Sequence, residues 1–147
     1  MNNSYSITAN FASTGVTYNL TISSSGNGSA IPSGTTSQSC NASVPIAANA
    51  SACYKFLNWS GPSADSVSNI NAASATILMN GSKTIQANFV LAPEDINCDG
   101  DVDLFDLVRL GLHWGETGSP RWIPEDVKPD GIIDLFDLVL IGIYWTG

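Results

Sequence analysis

Two stretches of the chain carry residue types that could do chemistry. In "DINCDGDVDLFD", Asp95, Asn97, Asp99, Gly100, Asp103 and Asp106 fall at positions 1, 3, 5, 6, 9 and 12 of a loop, and the carbonyl of Asp101 takes position 7. A hard divalent cation needs about six or more oxygens around one point, and this spacing supplies them while the glycine makes the turn that lets the chain wrap. Calcium suits such a cage better than magnesium, which tolerates an all-protein shell poorly. The plainer alternative is a solvated acidic turn whose aspartates cap the next helix. From residue 126, "DVKPDGIIDLFD" writes the loop again: Asp126, Asp130, Gly131, Asp134 and Asp137 keep positions 1, 5, 6, 9 and 12, with the Ile132 carbonyl at 7. Lys128 stands where Asn97 offers an oxygen, and lysine has no acceptor. Either water fills the place and a weaker second site is occupied, or the ammonium neutralises the loop and the site takes no cation.

Each loop runs into an apolar helix, "LFDLVRLGLHW" and "LFDLVLIGIYW". In the first, Leu104, Leu107, Val108 and Gly111 make one face, and Phe105, Leu112 and Trp114 spill beyond it. The second is apolar at nearly every position. A small amphipathic helix needs one apolar stripe, so the excess must be covered. Packing of the helices on each other, with Trp122 between, accounts for most of it, and the remainder forms a partner face. Gly111 and Gly142, at equivalent mid-helix places, each cost about 1 kcal/mol against alanine. Close approach of the two helices, or of a partner strand, explains them. His113, the only histidine, has no nucleophile beside it and reads as a helix-end residue.

No helix pattern precedes the first loop, where "FVLAPE" is interrupted by Pro93. A duplicated loop-then-helix unit that ends in aspartate and continues as "LFDLVxxGxxW" resembles a dockerin, over residues 95–147. The resemblance implies a near-two-fold pair of Ca2+-bound units that docks on a cohesin. It also implies that Leu104 and Phe105, repeated as Leu135 and Phe136, carry recognition, since dockerins do so at loop positions 10 and 11. Val108 and Arg109 against Val139 and Leu140 extend that face, and the Arg109/Leu140 difference breaks its symmetry.

The elements that lead up to these loops are of another kind. Residues 1–90 carry only Lys55, Asp65 and Lys83 as charged side chains, whereas residues 91–147 carry 12 acids against Arg109, Arg121 and Lys128. That step sets a boundary near "LAPED" and excludes nucleic acid, which wants a basic face. No run of about 18 apolar residues exists to enter a membrane. Alternation of period two in "YNLTI" and "TIQANFV" predicts half-buried strands, separated by Gly, Ser and Asn clusters. "YNLTISSSGNGSAIPSG", "CYKFLNWSG" and "ILMNGSKTIQANFV" together resemble bacterial surface repeats of the internalin B-repeat type over residues 16–90. The resemblance implies a small β-grasp-like spacer in a long extracellular protein, with no catalytic residues.

The opening "MNNSYSITANF" matches "MNGSKTIQANF" at residues 79–89, so residues 1–15 read as the last strand of a preceding repeat. This strand either packs on the repeat as a surrogate edge or is donated to another molecule through residues 1–11. Cys40 and Cys53 could close the long connection of the β half as a disulfide, or remain buried thiols. Cys98 is then left over, pointing to solvent. Sequons occur at Asn2, Asn19, Asn27, Asn41, Asn49, Asn58 and Asn80, all in the sparsely charged half, and suggest a glycosylated surface protein.

The expected chain is therefore two small domains: an all-β or β-grasp-like repeat over residues 16–91 and an α-helical, calcium-binding dockerin over 92–147. The expected role is non-catalytic attachment at a bacterial or archaeal cell surface or outside the cell. A filament subunit joined by strand donation is one alternative. A carbohydrate-binding module, with Trp59 stacking on sugar rather than lying in the core, is the other.

Overall fold

The computed structural model describes residues 15–146. The strand expected over residues 1–11, its donation to another molecule and the Asn2 sequon lie outside the described residues. From Thr17 onward the period-two pattern becomes strand. In β1 (Thr17–Ser24), Leu20 and Ile22 are buried and their neighbours face out. In β7 (Lys83–Leu91), Ile85 and Ala87 do the same, and the two strands pair in parallel with Ile22 opposite Ile85. β3 (Gly34–Ser39) flanks β1 and β5 (Tyr54–Ser60) flanks β7, both antiparallel, giving the order β3-β1-β7-β5.

A second sheet, β2-β4-β6, is built from Gly28–Ile31, Ser43–Ala50 and Ser74–Leu78. Its inward residues Ala30, Val44, Ile46, Ala48 and Ile77 close the core over Leu20, Ile22, Trp59, Met79 and Ile85. The half is thus sandwich-like. It keeps the mixed sheet with a parallel central pair that a β-grasp would show, but a sheet, not a helix, covers that pair. Its only helical element among the described residues is a 3-10 turn at Ala64–Ser66. Gly61 follows the "WS" of the repeat motif at φ +110°, and a Cβ there would meet the Ile85 Cα at 3.1 Å. Only glycine adopts that backbone so close to a neighbouring strand.

Beyond Leu91 the chain forms two loops, each entering a nine-residue helix: α1 (Leu104–Leu112) and α2 (Leu135–Ile143). Asp103 and Asp134 are the N-caps, accepting from the amides of Phe105 and Phe136, and the third helical residues, Asp106 and Asp137, return a bond to the cap amide. Such reciprocal boxes start a helix abruptly by satisfying its orphan amides. The small core contains Ile96, Val102, Leu110, Val127, Ile133 and Ile141. The apolar face read from the sequence is divided: Leu104 and Val108 point to solvent, while Leu107 and Leu110 turn inward. Gly111 and Gly142 also stand clear, since a Cβ on either meets nothing within 4 Å, so close helix approach does not account for them.

The two units close on each other crosswise. The amide and carbonyl of Val102, at position 8 of the first loop, bond to Thr146 after α2. Ile133, at the same place in the second loop, bonds to Gly115 and Glu116 after α1.

The disulfide also differs from the sequence expectation. Cys53 pairs with Cys98, and Cys40 is an exposed free thiol. Cys40 and Cys53 flank the eight residues of β4, and extended chain at about 3.3 Å per residue holds them roughly 25 Å apart. A disulfide joins Cα atoms within about 7 Å. Cys98 is not free toward solvent, because its sulfur is bonded to Cys53 of the β half. The bridge closes 45 residues, worth about 4 kcal/mol on chain-entropy arithmetic.

Candidate functional site

In the first loop nearly every acidic or amide side chain accepts a backbone N–H a short way along the chain. Asp95 takes the amides of Asp99 (3.1 Å) and Gly100 (3.0 Å), Asn97 that of Asp99 (2.9 Å), and Asp99 that of Asp101 (3.1 Å). Asp106 reaches back to the amides of Ile96 (2.8 Å), Asn97 (3.1 Å) and Asp103 (2.8 Å). These bonds curl the chain into a tight turn held by its own amides. The second loop repeats them: Asp126 accepts from Asp130 and Gly131, Asp130 from Ile132, and Asp137 from Lys128 and Asp134. Gly131 sits at φ +84°, where a Cβ would lie 2.4 Å from the Gly118 carbonyl oxygen, so the turn admits no side chain.

Four carboxylates are buried here: Asp95 and Asp106 in the first loop, Asp126 and Asp137 in the second, at positions 1 and 12 of each. Among the described residues no Lys, Arg or His makes an ion pair with any of them; the ion pairs are Lys55–Glu94, Arg109–Glu125, His113–Glu116 and Lys128–Asp130. Burial holds the Asp95 carboxyl above its ordinary range, and although the Gly100 amide opposes this, the charge of Asp106 adds to the rise. A buried carboxylate without a cationic partner is costly unless a cation completes the site.

The donor chemistry fits calcium, since every side chain facing into the first loop is an oxygen donor and each carboxylate has about four lone-pair sites. As placed, no three His, Cys, Asp or Glu side chains among the described residues draw together as a metal cluster. Their inner lone pairs are spent on amides instead.

Lys128 lies with its ammonium 2.9 Å from Asp130 and 3.9 Å from the centre of the Phe136 ring. Its hydrogen bond holds Asp130 below the usual carboxylate range and raises Lys128 itself. The ammonium therefore neutralises the half-exposed Asp130 and leaves buried Asp126 and Asp137 without an ion pair.

The residues expected to face a partner divide into two groups. Leu104, Phe105 and Val108 on α1, and Leu135, Phe136 and Val139 on α2, are all about half exposed or more. Leu112 and Ile143, one to two turns further along, extend the two stripes. Arg109 is engaged, its Nε donating to buried Glu125 at 3.1 Å, and Leu140 packs against the small core. Gly111 and Gly142 lie just before Leu112 and Ile143, with open space above each.

Trp59 is 1 % exposed and its indole N–H donates to the Ala72 carbonyl, so it offers no platform for a sugar. The sequons at Asn19, Asn27, Asn41, Asn49 and Asn80 are exposed; Asn58 is half-buried and accepts from Asn88. His113 pairs with Glu116 beyond the end of α1. The Thr146 clasp went unread in the sequence, although Thr146 occupies in the second unit the place of Gly115 in the first.

A sequence profile for the divergent InlB B-repeat domain matches residues 18–93, from within β1 to just past β7. No curated protein and no solved structure matches the chain.

Proposed function

This chain belongs to the divergent InlB B-repeat family, and from that premise we propose that it is a non-catalytic attachment protein whose repeat carries a dockerin-type calcium module for binding a cohesin-type partner. A surface repeat and a disulfide support a location outside the cell or on its surface, because such bridges persist in oxidising compartments. The observation that carries the calcium reading is the symmetric set of four buried carboxylates with backbone amides but no cationic side chain as partners.

Calcium, when bound, supplies the positive charge that offsets those carboxylates. Asp95, Asn97, Asp99, Asp103, Asp106 and the Asp101 carbonyl would hold it in the first loop. Asp126, Asp130, Asp134, Asp137 and the Ile132 carbonyl would hold it in the second. The loops' own work is to fix where α1 and α2 begin, because Asp106 and Asp137 are at once loop ends and helix caps. The loops thereby present Leu104, Phe105 and Val108, and their repeats Leu135, Phe136 and Val139, as two equivalent apolar stripes. Apolar residues set out twice on adjoining helices favour a partner that binds by hydrophobic contact.

The experiment is a calorimetric Ca2+ titration of the chelator-stripped chain with helicity followed in parallel. Two binding events, the second weaker, with helicity gained, are expected. Full helicity in excess chelator with no heat on adding calcium would overturn the proposal.

A further inference from the structure

The two loops are near copies in their internal hydrogen bonds, yet among the described residues only the first is tied to the β-repeat by a disulfide. Cys98 is position 4 of the first loop, and the equivalent place in the second is Pro129. Around Cys98 the chain is held at several points. The pairing of β5 with β7 sets Tyr54 opposite Leu91, and the next amide, Ala92, donates to the Cys53 carbonyl at 2.9 Å. The disulfide then joins Cys53 to Cys98, so residues 92–98 form a small closed ring on the end of the sandwich. Asp95 and Asn97 lie inside that ring and Asp99 follows it directly. Lys55, two residues after Cys53, pairs with buried Glu94 and places its ammonium 4.1 Å from the Tyr144 ring at the end of α2. Cys98, Asp99 and Gly100 themselves line a cavity whose other wall is the β4–β5 turn and the start of β5.

We infer that the Cys53–Cys98 disulfide makes the B-repeat a scaffold that pre-orders the first cation loop, so that this loop binds calcium tightly only in the oxidised chain. Cys53 and Cys98 are positioning residues: they touch no cation and act through the backbone that carries Asp95, Asn97 and Asp99. The physical ground is pre-organisation. A loop already held near its bound shape loses less conformational freedom when the ion arrives, and three of its donors sit within or beside the fastened ring. The second loop has no such fastening, so its affinity is independent of the thiol state. A consequence for the cell is that the chain becomes competent at its first loop only after it reaches an oxidising compartment. This inference rests on the calcium reading above.

The test uses the full chain with Cys40→Ser, which leaves Cys53 and Cys98 as its only cysteines, in the oxidised and the phosphine-reduced form. Calcium is titrated calorimetrically after chelator stripping, and a companion chain with Asp130→Ala isolates the first loop. Reduction is expected to weaken the first loop by about tenfold and leave the second within about twofold. Amide exchange in chelator provides a readout that does not depend on the ion. Residues 95–101 should lose protection on reduction, and residues 126–132 should keep theirs. Equal first-loop affinity in both forms overturns the scaffold role and leaves the calcium reading standing. Absence of calcium binding in either form overturns both.

Discussion

The first and second loop–helix units spend nearly the same hydrogen bonds on nearly the same backbone, but they meet their excess negative charge differently. In the first, Asp95, Asp99, Asp103 and Asp106 have no basic side chain in ion-pair reach among the described residues. In the second, Lys128 has replaced an oxygen donor and folded back over Phe136 to neutralise Asp130. The comparison shows that a loop can keep its shape through amide bonds while one side chain changes how its negative charge is met. It also shows how a duplication becomes unequal without losing its fold.

The sharpest way to break the comparison is to remove a buried carboxylate. Asp106→Ala strands the three amides it holds, and in calcium it is expected to destabilise the helical region by on the order of 4 kcal/mol. First-loop binding should vanish with it. Asp137→Ala strands the amides of Lys128 and Asp134, and a smaller loss is expected in the same calcium-saturated thermal melts. Next come the helix residues that hold the units together. Leu110→Ala and Ile141→Ala, each replacing a side chain about 1 % exposed or less, should each cost about 3 kcal/mol in denaturant titrations. Equal costs would mean that the helices share one core symmetrically.

A finer test exchanges the one unequal position. Lys128→Asn restores the missing acceptor and is expected to strengthen second-loop calcium binding about tenfold, an effect of about 1.4 kcal/mol. Asn97→Lys should weaken the first loop by a similar factor. If both exchanges leave calorimetric affinities unchanged, position 3 does not set the difference between the loops. The smallest effects belong to the outward stripes. Leu112→Ser and Ile143→Ser, at 74 % and 66 % exposure, should shift folding stability by less than about 0.5 kcal/mol. A larger loss in thermal melts would show that these side chains support the fold and do not merely offer a surface.

Much of this was legible in the residues. The loop spacing singled out the four aspartates that turn out buried, and the apolar runs after the loops gave the two helices. Alternation in "YNLTI" and "TIQANFV" marked both stretches as half-buried strands, as β1 and β7 are. The second sheet was harder, because "SVPIAANA" and "SATIL" use small side chains with little apolar contrast and Pro45 interrupts one of them. The cysteine pairing could not be read locally at all. It depends on β5 and β7 meeting in a register that returns the chain to Cys53, a contact made between distant residues. The helix faces misled for another reason: in a helix apolar nearly all round, periodicity does not say which stripe is inward. The opposite unit decides it.

The disulfide described above also determines how the molecule would carry a load. A protein held at its helices by one body and through its β-repeat by another is stretched along its chain, and tension follows covalent bonds. At Cys98 that path crosses to Cys53 and skips the chain between them, a sequence separation of 45. β5, β6 and β7 are therefore shielded from the pull, and only β1 to β4 can be drawn out from the repeat. Reducing the bridge would release roughly 150 Å of additional chain at about 3.4 Å per residue. The same two sulfur atoms that seat a loop also set how far the tether can lengthen before it fails.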